Sequence, residues 1–377
     1  MKIGRFWPDQ LTADERTALH PGVHAALDVR PDVLVVGGGV VGITAALACE
    51  RAGLGSVVLI ERDELGAGAT GGAGGLLGAD TLRASYPEPY VLLAHKSVAI
   101  WWELQETWPN GVGITAYDSI KLEPLDPALV ANMPESATWV TPEEIKELAP
   151  GLVFAGAGVR VPHQARMNPL RAISNLSRGL ASVNTGVAAL GVTIQGDRVV
   201  SVQTTAGEIS PGAVIFATGM PPQLPGLPLS LPAGSIKGHI LTTEPPPFNL
   251  GAGFAPFATQ VNSGGLLSGG TVDLGDDTAD VKPEIIAQIM ADLTVAFPSL
   301  SDLAVSHAWV CFRPIHPDDL PVIDRVPGLS NAWISSGHFR HGITLAPASG
   351  RAVSEWIATG QRPEEIAAFS ARRFAPA

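Results

Sequence analysis

The sequence predicts a chain of α/β and α+β class: a Rossmann-like dinucleotide-binding domain interleaved with a second domain built on a mixed antiparallel sheet. Three observations predict it. A strand, a glycine turn, a helix, a second strand and an acid follow one another between Asp32 and Glu61. A strand meander and a buried strand between Val187 and Gly219 return to that texture much later. The length of 377 residues, with 46% hydrophobic residues and no visible internal repeat, is ample for two cores.

The first unit is the most specific. Val33-Leu34-Val35-Val36 fits a buried parallel strand. It enters Gly37-Gly38-Gly39-Val40-Val41-Gly42, which has G-x-G-x-x-G spacing, and Ile43 to Arg51 is rich in helix formers. A second apolar run, Ser56 to Ile60, ends at Glu61. Gly37 permits the tight turn, Gly39 lets a pyrophosphate approach the backbone, and Gly42 lets the helix pack on the sheet. The helix N-terminus offers N–H groups and a partial positive charge to the phosphates. Glu61 can accept hydrogen bonds from ribose hydroxyls. It would repel a 2′-phosphate, so NADP is disfavoured, while FAD and NAD stay open.

The remaining elements follow in order. Residues 1–30 read as an arm over the surface, with a short helix from Thr12 to Leu19. Gly66 to Gly78 is too glycine-rich for regular structure and suits a flat or charged ligand lying against backbone. Tyr90 to Trp108 has a helical pattern, Val112 to Pro124 reads as strands, and Thr141 caps an acidic helix from Pro142 to Leu148. Asn168 to Ala181 is an amphipathic helix with Pro169 in its first turn. Val187 to Ile194, Val199 to Thr204 and Gly207 to Ile209 form the meander, and Val214 to Gly219 a buried strand. Strands are expected near Ile240-Leu241 and Leu266-Leu267, then a helix from Pro283 to Phe297. The chain closes with a strand from Ala332 to Ser335, a glycine turn, and a helix from Leu345 to Trp356.

Bulk properties narrow the function. The net charge of −12 argues against nucleic acid or an anionic membrane as partner. The two cysteines, Cys49 and Cys311, make a disulfide framework unlikely and fit a reducing, cytoplasmic location. Neither CxxC nor HExxH spacing occurs. The long apolar run from Val33 to Cys49 is broken by four glycines and flanked by Asp32 and Glu50, so no membrane span is expected. The N-terminus lacks the apolar core and cleavage pattern of a signal peptide.

Three separated features then combine: the first unit with Gly68 to Ala79 (GATGGAGGLLGA) after it, the meander closing on Ala217-Thr218-Gly219, and a C-terminal run. That run includes Phe312-Arg313-Pro314, Asp319 to Asp324, and Ser336-Gly337-His338-Phe339-Arg340-His341-Gly342-Ile343-Thr344-Leu345-Ala346-Pro347. Together they resemble the FAD-dependent D-amino-acid oxidase superfamily, most closely its glycine oxidase branch, from about Asp32 to Trp356. The resemblance implies FAD in a glutathione-reductase-type domain. The expected division is 31–85, 150–232 and 306–377 for the FAD-binding domain, and 86–149 and 233–305 for the substrate-binding domain. It further implies that Val40 and Val41 lie at the pyrophosphate and Glu61 and Arg62 at the adenosine. Ala69, Thr70, Gly74, Gly75 and Leu76 would line diphosphate and flavin, and Val187 would meet the adenine through its backbone. Thr218 and Gly219 are expected in the cofactor site, and His338 to Thr344 would wrap the flavin. Arg313 would hold a substrate carboxylate, with Arg340 as a second arginine near the substrate.

The residues themselves support Arg313. A planar guanidinium is the natural bidentate partner of a carboxylate, and this one falls in an apolar, proline-flanked stretch. The alternative is a structural ion pair with Asp318 or Asp324; for Arg340, too, a structural pair is the competing reading. His338 and His341 lack a third metal ligand nearby.

The chain also departs from the branch. Glycine oxidases carry His and Tyr side chains in the stretch matching Phe254 to Gln260, which here has neither, so the pocket is expected to be reshaped and to prefer larger or N-substituted substrates over glycine. Tyr86, Tyr90 and Arg83 are placed either to enter it or to pack the start of a helix, and packing is favoured. Cys311 lies thirteen residues before Asp324, the spacing of the covalent flavin cysteine in sarcosine oxidases. The local Cys-Phe-Arg-Pro follows the glycine oxidase pattern, so non-covalent FAD is favoured over attachment through Cys311.

The expected reaction is oxidation of the C–N bond of a small amino acid or N-substituted glycine, by hydride transfer to flavin and imine hydrolysis, with O2 as acceptor giving H2O2. The alternatives are a dehydrogenase subunit using another acceptor and an inactive flavin-binding protein. A homo-oligomer is left open.

Overall fold

The computed structural model describes residues 1–23, 27–125, 127–255 and 258–374. The first strand, Val33–Val36, is central in a six-stranded sheet. Its order is Val322–Arg325, Ala332–Ser336, Ala213–Gly219, Val33–Val36, Val57–Glu61, Val183–Thr185. All pairings are parallel except that of Val322–Arg325 with Ala332–Ser336. Strands buried on both faces explain the continuous Val/Ile/Leu runs. Chain order reverses between Val33–Val36 and Ala213–Gly219, the kind of switch point where open α/β sheets bind ligands at their carboxyl ends. The meander forms a three-stranded antiparallel sheet from 189–195, 198–204 and 207–209.

Two further sheets are mixed and mostly antiparallel. One joins Lys2–Ile3, Val305–Ile315, Gly234–Thr243, Leu266–Gly269 and Thr259–Gln260. The other joins Gly253–Ala255, Ile114–Leu122, Gly158–Met167 and Leu76–Leu77, with Thr138–Val140 also on Gly158–Met167. Strand pairing therefore crosses the expected divisions at 150 and 306.

Helix caps follow side-chain chemistry. Thr12 and Thr141 form capping boxes with Glu15 and Glu144, and Asn168 accepts from the N–H groups of Leu170 and Arg171. The helix after Asn168 ends at Ser177, short of the expected Ala181. The 66–78 segment is more regular than its composition suggests: Ala69–Gly72 is a helical turn and Leu76–Leu77 a strand. The C-terminal helix begins at Gly342, one turn before Leu345.

The N-terminal segment is packed in rather than laid over the surface. Phe6, Trp7, Leu11 and Leu19 are buried, and Lys2–Ile3 pairs parallel with His307–Ala308. Two adjacent aromatics supply enough apolar area to dock a segment whose other residues read as wet. Arg5 donates to the carbonyls of Ala67 and Gly68, and Trp7 Nε1 to Ala73 O at 2.6 Å. The arm thus holds the glycine-rich segment in place. No described helix is long and apolar enough to cross a membrane.

Candidate active site

The glycine turn has the geometry its residues require. Gly37 adopts φ +117°, and a Cβ there would press on the Ala217 carbonyl. A Cβ on Gly42 would overlap the Gly37 carbonyl, which is the close helix–strand contact that glycine permits. At Gly39 a Cβ would meet only Thr70 Oγ1, at 3.2 Å, and otherwise open space. The Val40 N–H donates to Thr70 Oγ1 at 3.1 Å, so this first helical donor is already partnered. Glu61 closes the turn from the next strand: its carboxylate accepts from Gly38 N–H at 2.6 Å and from Asp63 N–H at 3.0 Å. Each oxygen keeps a further lone pair for a hydroxyl donor.

One cavity of about 880 Å³ collects most of the expected residues: Gly37, Gly39, Val40, Val41, Glu61, Arg62, Ala69, Thr70, Gly74, Gly75, Leu76, Val187, Thr218, Gly219, His338, Phe339, Arg340, Gly342, Ile343 and Arg313. Cys311 also lines it. Gly42, His341 and Thr344 do not. Gly42 faces the Gly37 carbonyl, while His341 and Thr344 line an adjoining cavity of about 260 Å³. The two cavities share Leu76, Leu267 and Gly269.

Arg313 stands on strand Val305–Ile315, opposite Ile236. Its residue is 8% exposed, and its guanidinium donates to Thr271 O at 2.8 Å. Among the described residues, no carboxylate pairs with it. Asp318 pairs with Arg373 at 2.7 Å, and Asp324 accepts from Ser370 Oγ and the Ala371 N–H. The structural ion pair with either aspartate is thus not formed. Burial pushes the Arg313 pKa down, and Arg340 adds to this. Arg340 is exposed, and its guanidinium lies 5.3 Å from the Phe339 ring centroid.

The turn at the start of the last helix is strained. Phe339 holds φ +46°, a backbone region that bulky L-residues rarely enter. His338 is buried, with Nε2 3.3 Å from Ser349 Oγ, and burial lowers its pKa to about 3. His341 Nδ1 lies 2.8 Å from the Tyr90 hydroxyl, and burial together with Arg340 lowers its pKa to about 4. Tyr90 is fully buried and stacks on Tyr86 at 4.2 Å. Tyr86, Tyr90 and Arg83 line neither cavity.

Of the stretch compared with the glycine oxidase pocket, Phe254, Ala258 and Thr259 line the smaller cavity, while Pro256 and Phe257 lie outside the described residues. Tyr117, Lys121 and Gln164 also line it and escaped sequence reasoning. The available signal was the alternation Tyr117, Ser119, Lys121, which puts all three on one face of a strand.

Residues 32–356 match the family described as FAD dependent oxidoreductase, DAO. The chain belongs to this family. Among curated proteins it is similar to a glycine oxidase of Pseudomonas aeruginosa, 28% identical over 363 residues, with 88% of this chain and 95% of the relative covered. Among solved structures it is similar to an L-amino acid deaminase from Proteus vulgaris, with TM-score 0.83, 20% identity, and 97% and 99% of the two chains covered. It is similar also to glycine oxidase from Geobacillus kaustophilus, with TM-score 0.79, 24% identity, and 92% and 100% covered. At these identities the structural likenesses speak to fold. The protein is an FAD-dependent oxidoreductase of glycine oxidase-like type, and its cavity suits the cofactor. The open approach above Gly39, the Glu61 carboxylate with spare lone pairs and the Val187 backbone all fit a dinucleotide.

Proposed function

We propose that this oxidoreductase oxidises the C–N bond of a small amino acid or N-substituted glycine. The observation that carries the reading is Arg313, a buried guanidinium that lines the large cavity and has no carboxylate partner among the described residues. A buried unpaired cation is costly, and a bound carboxylate offsets that cost through a charge-assisted bidentate contact. Thr271 O takes one N–H and fixes the plane of the fork, leaving the rest for substrate.

When bound, FAD would supply the two-electron oxidation, with O2 as the acceptor and H2O2 as its product. The protein contributes position and a dry surface. Arg313 fixes the carboxylate, so the α-carbon has one orientation, and proximity provides much of the rate. The histidines beside the turn stay neutral at pH 7 and add no positive charge near the substrate amine. In this reading Gly37, Gly39, Val40, Val41, Glu61, Arg62, Thr70, Val187 and the 338–343 turn hold the cofactor. Arg340, at the exposed rim, guides anionic substrates. The imine released from the site hydrolyses in water.

The test is an anaerobic screen of glycine, N-alkyl glycines and other secondary amino acids, following bleaching of the flavin band, with O2 consumption measured in parallel. Wild type should bleach with at least one N-substituted amino acid. Arg313→Met should raise KM by the equivalent of about 2–4 kcal/mol with flavin content unchanged. Normal turnover by Arg313→Met would remove the carboxylate anchor.

A further inference from the structure

We infer that the substrate carries a second anionic group and that Lys121 receives it in the smaller cavity. This rests on Arg313 holding the first carboxylate, and it narrows the substrate to a dicarboxylic amine: an amino acid with an acidic side chain or an N-carboxyalkyl amino acid.

Lys121 lies on strand Ile114–Leu122, and alternation puts Tyr117, Ser119 and Lys121 on one face, lining the cavity of about 260 Å³. Among the described residues, Lys121 has no hydrogen-bond or ion-pair partner. The residue is half-buried, and burial pushes its pKa down with no charge compensating. The lining described contains no acidic residue, and Lys121 is its one formally charged side chain at neutral pH. The rest offers neutral polar groups: Ser119, Gln164, Thr259 and Ser268. Thr259 Oγ1 is buried and has no hydrogen-bond partner among the described residues. A cation and a hydroxyl without partners thus line the same space.

A Cβ on Gly253 would come within 2.7 Å of the Tyr117 ring, so the glycine lets that ring lie close against its strand at the cavity wall. Leu76, Leu267 and Gly269 line both cavities, so the smaller one adjoins the space that Arg313 faces, and the proposed ligand reaches from one into the other. An isolated ammonium in a partly dry pocket favours an anion over a neutral or cationic group.

The test is a titration of the FAD-loaded enzyme, following perturbation of the flavin absorbance. The probes are ether acids, in which oxygen replaces the amine. Methoxyacetate carries one carboxylate; oxydiacetate and its homologue 3-(carboxymethoxy)propanoate carry two. At least one dicarboxylate should bind tenfold or more tighter than methoxyacetate. Lys121→Met should abolish that gap while leaving methoxyacetate affinity within twofold, and Lys121→Arg should keep most of the gap. Equal affinity for one and two carboxylates in wild type, or a gap that survives Lys121→Met, overturns the inference while leaving Arg313 in place. Methoxyacetate binding that is unaffected by Arg313→Met overturns the anchor itself, and this inference falls with it.

Discussion

The Trp101 indole Nε1 donates to the carbonyl of Ile343 at 2.8 Å, in the first turn of the helix Gly342–Thr359. Pro347 lies four residues further on and has no N–H to give that carbonyl. The next donor is diverted too: Ala348 N–H goes to Ser97 Oγ at 3.1 Å. Ser97 and Trp101 are one turn apart on the helix Glu88–Thr107, so one face of that helix repairs the proline break. This anchors the turn that carries His338 to Ile343 against the body of the protein.

Replacing Trp101 with Phe leaves the Ile343 carbonyl buried and unpaired. The expected loss is about 1–3 kcal/mol of unfolding free energy, read from urea denaturation of the FAD-loaded protein. Unchanged stability would mean that another donor replaces the indole at no cost.

The two ends of the glycine turn should respond differently. A Cβ at residue 39 meets only Thr70 Oγ1 on the protein side, a tight contact at 3.2 Å that a small shift of that side chain relieves, so Gly39→Val should fold yet purify with little FAD. Gly42→Ala puts a methyl into the Gly37 carbonyl and should lower both flavin content and thermal stability. Full flavin content in Gly39→Val would show that the cofactor does not pass over this residue.

His338 and His341 are held neutral by burial, with pKa values lowered to about 3 and about 4. An unfolded histidine titrates near ~6.5. Below that pH the unfolded chain takes up protons that the native state refuses, so stability falls as pH drops from 7 toward 4. In His341→Gln one of these protons is absent. The Tm difference between pH 7 and pH 5 should therefore shrink relative to wild type; an unchanged difference would mean that His341 does not resist protonation.

Cys311 is buried, its thiol 3.6 Å from Ala69 O and its pKa pushed up by burial. A thiol held protonated is a poor nucleophile. FAD should therefore be released on acid precipitation, leaving a colourless pellet. A yellow pellet from wild type and a colourless one from Cys311→Ala would establish a covalent link instead.

Much of this protein is local and therefore legible in sequence. The Val33 to Glu61 unit, the capped helices at Thr12, Thr141 and Asn168, and the meander rest on contacts between near neighbours in the chain. Arg313 was legible for another reason: a charge in an apolar, proline-flanked run demands an explanation. The long strands Gly158–Met167 and Val305–Ile315 were not, because Pro162 and Pro314 lie within them and their partners are distant in sequence.

What the sequence determined by itself was the nucleotide-binding fold, through motif spacing, and the FAD-dependent family, through resemblance along its length; it also singled out Arg313 as a candidate. What only the tertiary structure decided was placement. Asp318 and Asp324 are engaged elsewhere, which leaves Arg313 without a carboxylate among the described residues, and no local pattern reports that. Phe6 and Trp7 draw the N-terminus into the core. Lys121, Thr259 and Gly253 meet in one cavity although they come from separate strands. Such contacts join residues from dozens to hundreds of positions apart, as Arg373 with Asp318 or Lys2 with His307, and only the packed chain brings them together.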